Sequence, residues 1–119
     1  MSQPWPVEIR LVRDKKALHV AFEDGRAATL PAELLRVESP SAEVQGHGPG
    51  ERKLVAGKRD VAIASIEPIG NYAVRLVFDD GHSTGIYGWT LLAKLAEDPA
   101  ARLAGYHREL AAAGLSSAP

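Results

Sequence analysis

His82 is the residue of this chain best placed to do chemistry. It follows directly on the turn Asp80-Gly81, beside a second carboxylate, Asp79, and a neutral imidazole in such a place can ligate a metal or carry a proton. The bland alternative is a ring that caps its own turn or bonds nearby backbone, because one histidine without partners does not make a site. His47, in the run GHGPGER, is the second candidate. Its glycines would let backbone amides approach an anion, but neither the phosphate-loop spacing nor the dinucleotide fingerprint is present, and a mobile loop is the better reading. His47, His82 and the loop carboxylates Glu38 and Glu43 together would form a joint site that nothing in their spacing requires.

Other chemistries are excluded or lack residues. The chain has no cysteine, so disulfides, thiolate metal sites and a cysteine nucleophile are absent. No nucleophile elbow, HExxH or paired-carboxylate signature occurs, and turn chemistry accounts for Asp24, Asp79 and Asp80. The expectation is that the chain is not an enzyme and has no cofactor or metal of its own.

A length of 119 residues, 45% hydrophobic and 24% charged, suits one soluble domain. A net charge of −1 and a pI near 6.4 give no footprint for nucleic acid or acidic membranes. No apolar run approaches the ~20 residues that span a bilayer, and the start MSQPWPVEIR lacks signal-peptide character. A cytoplasmic location follows as the expectation.

The elements that must position His82 are legible as patterns. Val7, Ile9 and Leu11 alternate with polar Glu8 and Arg10, Leu18, Val20 and Phe22 share one face opposite His19 and Glu23, and Val74, Leu76 and Phe78 form one face of a later strand; period two is the signal of a half-buried strand. Asp24-Gly25 and Asp80-Gly81 are hairpin turns. His19 and Arg75 belong on the outer sheet face. PAELLR reads as a short helix opened by Pro31. Trp89, Leu92 and Leu95 form a helical apolar stripe. Asp98-Pro99 starts a second helix with Leu103, Tyr106, His107 and Leu110 on its inner face and Gly114 at its end. The tail LSSAP is expected to fray. Residues 38–58 lose periodicity and read as a mobile loop, within an ordered core of about 6–113 and a single domain 1–119.

ALHVAFEDGRAATLPAELL and AVRLVFDDGHSTGIYGWTLL look alike: Ala17, Phe22, Asp24, Gly25 and Leu35 match Ala73, Phe78, Asp80, Gly81 and Leu91 at one offset. Either Asp-Gly hairpins simply resemble one another, or a strand–turn–strand–helix unit is duplicated. The fold class expected is α+β and two-layered: an antiparallel-rich sheet of two hairpins with the C-terminal helices on one face.

The blocks AFEDGRAATLPAELLRVESPSAEVQGHG and DDGHSTGIYGW make the chain, from about Pro6 to Leu95, resemble the gamma-butyrobetaine-hydroxylase-like N-terminal domain family, whose small bacterial stand-alone members are a domain of unknown function. In hydroxylase-type members the resemblance implies a zinc-bearing accessory module ahead of an iron- and 2-oxoglutarate-dependent oxygenase domain; within these 119 residues no such oxygenase domain is expected. Similar domains also end P-loop ATPases of iron–sulfur cluster assembly, which implies an adaptor role. The zinc ligands of that module, a C-x-C-x-x-C motif plus the DGH histidine, fall here on Ser39, Ser41, Val44 and His82. Structural zinc is worth roughly 10–16 kcal/mol and relies on thiolates; serine hydroxyls stay protonated and valine has no donor, so this is a degenerate zinc site and His82 alone should retain no zinc.

The leading expectation is therefore a non-enzymatic interaction or accessory module, linked through the resemblance to iron–sulfur or oxygenase systems. Its partner would be a protein rather than nucleic acid or membrane, with the oligomeric state open. The surface expected to serve it comprises Arg36, His47, His82, Tyr87 and Trp89, although aromatics at a strand–helix junction are more often core. The alternative is a small-molecule or metal-ion binding protein with its pocket between the 38–58 loop and the DGH turn.

Overall fold

Alternation of apolar residues places one face of every central strand in the interior. In the computed structural model, which describes residues 5–46 and 53–119, β1 (Pro6–Val12), β2 (Ala17–Phe22) and β3 (Ala27–Pro31) form one antiparallel sheet in that order. A second sheet is formed by β4 (Ile63–Ile69), β5 (Ala73–Phe78) and β6 (Ile86–Gly88). The chain has the α+β fold expected from the sequence, antiparallel strands with C-terminal helices; its two hairpins lie in two three-stranded meanders, because β1 and β4 each pair with their own hairpin. Leu18, Val20 and Phe22 of β2 and Val74, Leu76 and Phe78 of β5 are all buried and meet in one core with Leu35 and Leu92.

Helices follow each sheet: α1 (Ala32–Val37) and α2 (Ala42–Gln45) after the first, α3 (Trp89–Leu95) and α4 (Pro99–Ala112) after the second. The Asp98 side chain caps α4 by accepting from Ala101 N–H at 3.1 Å, with Pro99 in its first turn, as the sequence leads one to expect. No helix among the described residues is long and apolar enough to cross a membrane.

The two β-meander–helix–helix units correspond in detail. Pro6 pairs with Phe22 and Ile63 with Phe78; in both sheets a bulge follows, after which Glu8 pairs with Ala21 and Ser65 with Val77. Phe22 N–H donates to Arg26 O at 2.8 Å and Phe78 N–H to His82 O at 2.9 Å, across turns whose Gly25 and Gly81 share a φ of 92°. Ser41 caps α2 as Asp98 caps α4. A shared register with a shared bulge is more than two Asp-Gly turns impose, and it favours the duplicated unit. One residue is added in the second copy, where His82–Gly85 spans what Arg26–Ala28 spans in the first. The buried counterpart of Leu35 is consequently Leu92, not Leu91.

Three local expectations change. The described ends of the 38–58 stretch are anchored: α2 lies within it, and Leu54, Val55 and Ala56 pack against Val37, Tyr106 and Leu110, with Tyr106 donating to Val55 O. The tail is also held, Gly57 and Arg59 N–H donating to Ser116 and Ser117 O at 3.0 and 2.9 Å. His107 leaves the inner face of α4 and meets the buried carboxylate of Glu33 at 3.1 Å.

Candidate functional site

The Asp80-Gly81 turn of the second sheet sets His82 against the segment that leaves α1. Asp80 builds the turn, its Oδ1 accepting from His82 N–H at 3.0 Å, while Oδ2 accepts from Arg36 Nε at 2.8 Å and Lys58 Nζ at 2.7 Å. Burial pushes the Asp80 carboxyl up, but the Lys58 ammonium, the His82 N–H and the Arg36 guanidinium outweigh it and hold it at about 2. Arg36 is placed in the turn's charge network and not on an open surface. Its side chain is 12% exposed, and its Nη1 has no hydrogen-bond partner among the described residues.

His82 is buried and both ring nitrogens are engaged. Nε2 lies 2.9 Å from Ser39 Oγ and Nδ1 lies 2.9 Å from Glu43 Oε2. Burial and the nearby Arg36 charge push its pKa below the ordinary histidine range, against Glu43 and Asp80, which pull it up. A neutral ring then donates from Nδ1 to the carboxylate and accepts the Ser39 hydroxyl at Nε2, the tautomer this network assigns. Next to it, Ser41 Oγ and Thr84 Oγ1 share a 2.6 Å hydrogen bond, Ser41 Oγ accepts from Glu43 N–H at 3.1 Å, and Gln45 Nε2 donates to Ser39 O at 2.8 Å. The added residue of the second unit frees Ser83-Thr84 from the regular ladder, and that freedom lets Thr84 reach Ser41.

Glu43–His82–Ser39 has the connectivity of an acid–base–nucleophile relay. Its burial is inverted. Ser39 is 0% exposed and the Glu43 side chain 62% exposed, whereas a nucleophile must meet substrate. Gly85 seals the serine from one side, since a Cβ there would stand 2.5 Å from Ser39 Oγ. What the arrangement does is fasten residues 39–43 to the DGH turn.

The zinc donor set implied by the family resemblance does not fit these residues. Ser41 Oγ is spent on the α2 cap and on Thr84, and Val44 is an apolar core residue. No group of three or more histidine or acidic residues among the described ones could hold a metal.

Of the surface expected from the sequence, His47 lies outside the described residues. Tyr87 and Trp89 correct the expectation: they are 0% and 7% exposed and belong to the core. Tyr87 donates its hydroxyl to Leu35 O, and burial pushes its pKa well up; Trp89 Nε1 donates to Asn71 O at 3.0 Å. Of the conceivable joint site, Glu43 meets His82. Thr84, Gln45 and Lys58 join the site without any motif that marks them in the sequence; the extra residue in the second copy is the one available signal for Thr84.

Two hollows flank this framework. An open cavity of about 470 Å³ lies between α2 and the return strand, lined by Pro40, Ser41, Ala42, Glu43, Thr84 and Ile86. An apolar groove of about 330 Å³ runs between β1 and β4, with Val7, Ile9, Ile66, Pro68 and Trp89 among its walls. Trp5, whose ring meets Trp89 edge-on at 6.4 Å, is 44% exposed, Val7 65% and Tyr72 59%.

The family model described as "Gamma-butyrobetaine hydroxylase-like, N-terminal" matches residues 9–93. Two proteins solved by NMR in solution are similar throughout. One is 43% identical with a TM-score of 0.85, covering 99% of this chain and 93% of its own. The other is 46% identical with a TM-score of 0.81, covering 97% and 86%. A crystal structure of a protein of unknown function of the DUF971 family from Acidithiobacillus ferrooxidans is 38% identical with a TM-score of 0.64, covering 77% of this chain and 92% of that one. No curated protein matches.

Proposed function

The chain belongs to the gamma-butyrobetaine hydroxylase-like N-terminal family, and from that premise we propose that it works as a non-enzymatic interaction module that recruits a protein partner, in the setting of iron–sulfur or oxygenase systems. The observation that carries this reading is the apolar β1–β4 groove and the exposed side chains at its walls: Val7 in the wall itself, Trp5 edge-on to Trp89, and the Tyr72 ring beside Gly70. Exposed aromatics at the walls of an apolar groove are the kind of side chain that anchors protein interfaces, while solitary exposed apolar residues are ordinary. The sealed Ser39 hydroxyl supports the non-enzymatic half of the proposal.

The test is affinity capture from host cells grown with and without iron limitation, comparing the wild-type chain with Val7→Asp and Tyr72→Ala. The reading requires a protein recovered at native abundance by the wild type and lost with both variants while their melting temperatures stay near wild type. Equal recovery by wild type and variants, or no recovery in either condition, counts against it.

A second reading, a small-molecule or metal-ion binder, is favoured by the 470 Å³ cavity beside the DGH turn. It requires a thermal upshift of a few degrees with some metabolite or metal ion. Silence across a broad screen, or a shift that survives His82→Ala, removes it.

A further inference from the structure

We propose that a hydrogen-bonded clasp takes the place of a metal in this chain: Ser39–His82–Glu43 and Ser41–Thr84 hold the α1–α2 connection on the DGH turn with no ion between them. The argument rests on distance. Two donors of one tetrahedral zinc, bonded at about 2.0–2.3 Å, stand about 3.3–3.8 Å apart. Ser39 Oγ and His82 Nε2 are 2.9 Å apart, in direct contact, and no ion fits between them. The other ring nitrogen is held by Glu43 at 2.9 Å, so His82 has no lone pair facing an open space.

The supporting bonds are satisfied as a set. Ser39 Oγ also accepts from Ser41 N–H at 3.3 Å, Ser39 O accepts from Gln45, and Ser41 Oγ is shared between Thr84 and Glu43 N–H. A buried polar cluster holds its position only when its members are paired, and this one is. Gly85 completes it by leaving room for the serine where any side chain would collide. The first unit gives an internal contrast. Arg26 stands in the place of His82 and turns back to Asp24 at 2.8 Å, and a hollow of about 320 Å³ lined by Phe22, Arg26, Ala27, Ala96 and Glu97 lies at the corresponding turn. The clasp therefore belongs to the second turn and is not a general consequence of the meander.

The consequence is that the fold is indifferent to chelators and zinc. Wild-type protein without a histidine tag, purified with no added metal, should carry substoichiometric zinc and melt at the same temperature with EDTA or with zinc added; Thr84→Val, at an exposed position, should lower the melting temperature by a few degrees, also independently of EDTA. Zinc near one per chain, a fall in melting temperature on chelation, or an unchanged melting temperature in Thr84→Val would each overturn the proposal. A triple variant Ser39→Cys/Ser41→Cys/Val44→Cys should gain one zinc per chain, lost again on adding His82→Ala. A folded triple variant that takes up no zinc would also overturn the claim that the clasp occupies a metal's place, and if that variant is insoluble the wild-type and Thr84→Val measurements decide.

Discussion

Arg13 and Gly70 hold the same place in the two units, each one residue past the last strand pair of its first hairpin, and share a left-handed backbone with φ of 55° and 54°. Glycine adopts this conformation freely, whereas for a residue with a Cβ it costs roughly 1–2 kcal/mol. Asp14 and Lys15 continue the left-handed run, at φ of 56° and 69°. The turn is held because it is bonded elsewhere: Lys15 O accepts from Ile63 N–H and Lys16 O from Ala32 N–H, both at 2.8 Å. Arg13→Gly should therefore stabilise the chain, by about 0.5–1 kcal/mol after the greater chain entropy of glycine is subtracted. Chemical denaturation would show a higher midpoint with an unchanged slope.

Asp80 joins the turn to α1 and to Lys58, and its carboxyl is held at about 2 against an unfolded value of 3.8. The folded value is the lower one, so the unfolded chain binds more protons in that window and acid favours unfolding. The contribution, about 2 kcal/mol, is present above pH 3.8 and lost as the pH falls through 2. Asp80→Asn should cost a similar amount at neutral pH, since it leaves the largely buried Arg36 with a weaker acceptor, and should flatten the acid limb of a stability–pH profile. A variant that loses stability equally at pH 7 and pH 2 would contradict this assignment.

His82 gives a second, separate window. Its pKa is depressed in the folded chain below 6.5, so stability is full above pH 6.5 and falls as the solution is acidified from there toward the folded value. His82→Gln keeps a polar side chain without the titration. The difference in melting temperature between wild type and variant should narrow as the pH is taken from 8 to 5; a constant difference would mean that the ring does not titrate in this range.

Local signals carried most of the fold. The Asp-Gly turns, the alternation in β2 and β5 and the Asp98-Pro99 helix start lie within a few residues of the structure they cause, and each is where the sequence places it. The pairing of β1 and β4 into two separate sheets was less legible, because an alternating strand does not name its neighbour. The clasp was hidden for another reason. Ser39 and His82 are far apart in the chain, and a polar contact between them imposes no periodicity on either. α2 has only four residues, too few for a helical pattern to emerge. The extra residue before Gly85 disguised the repeat, moving the counterpart of Leu35 from Leu91 to Leu92 and leaving Thr84 without a first-unit equivalent.

Gly85 offers the most direct probe of how tightly the clasp is packed. An added Cβ would lie 2.5 Å from Ser39 Oγ and 3.1 Å from Tyr87 Cε1. Both neighbours are fully buried, so neither can swing into solvent. Gly85→Ala should cost about 1–3 kcal/mol as an overpacking defect. Ser39→Ala removes the oxygen that collides but also one partner of His82, and alone should cost about 1–3 kcal/mol. In the double variant the collision with Oγ is gone and only the Tyr87 contact remains, so the two costs should sum to more than the measured loss. A double-mutant cycle by urea denaturation reads this coupling directly. Strict additivity would show that Ser39 is not where the glycine holds it.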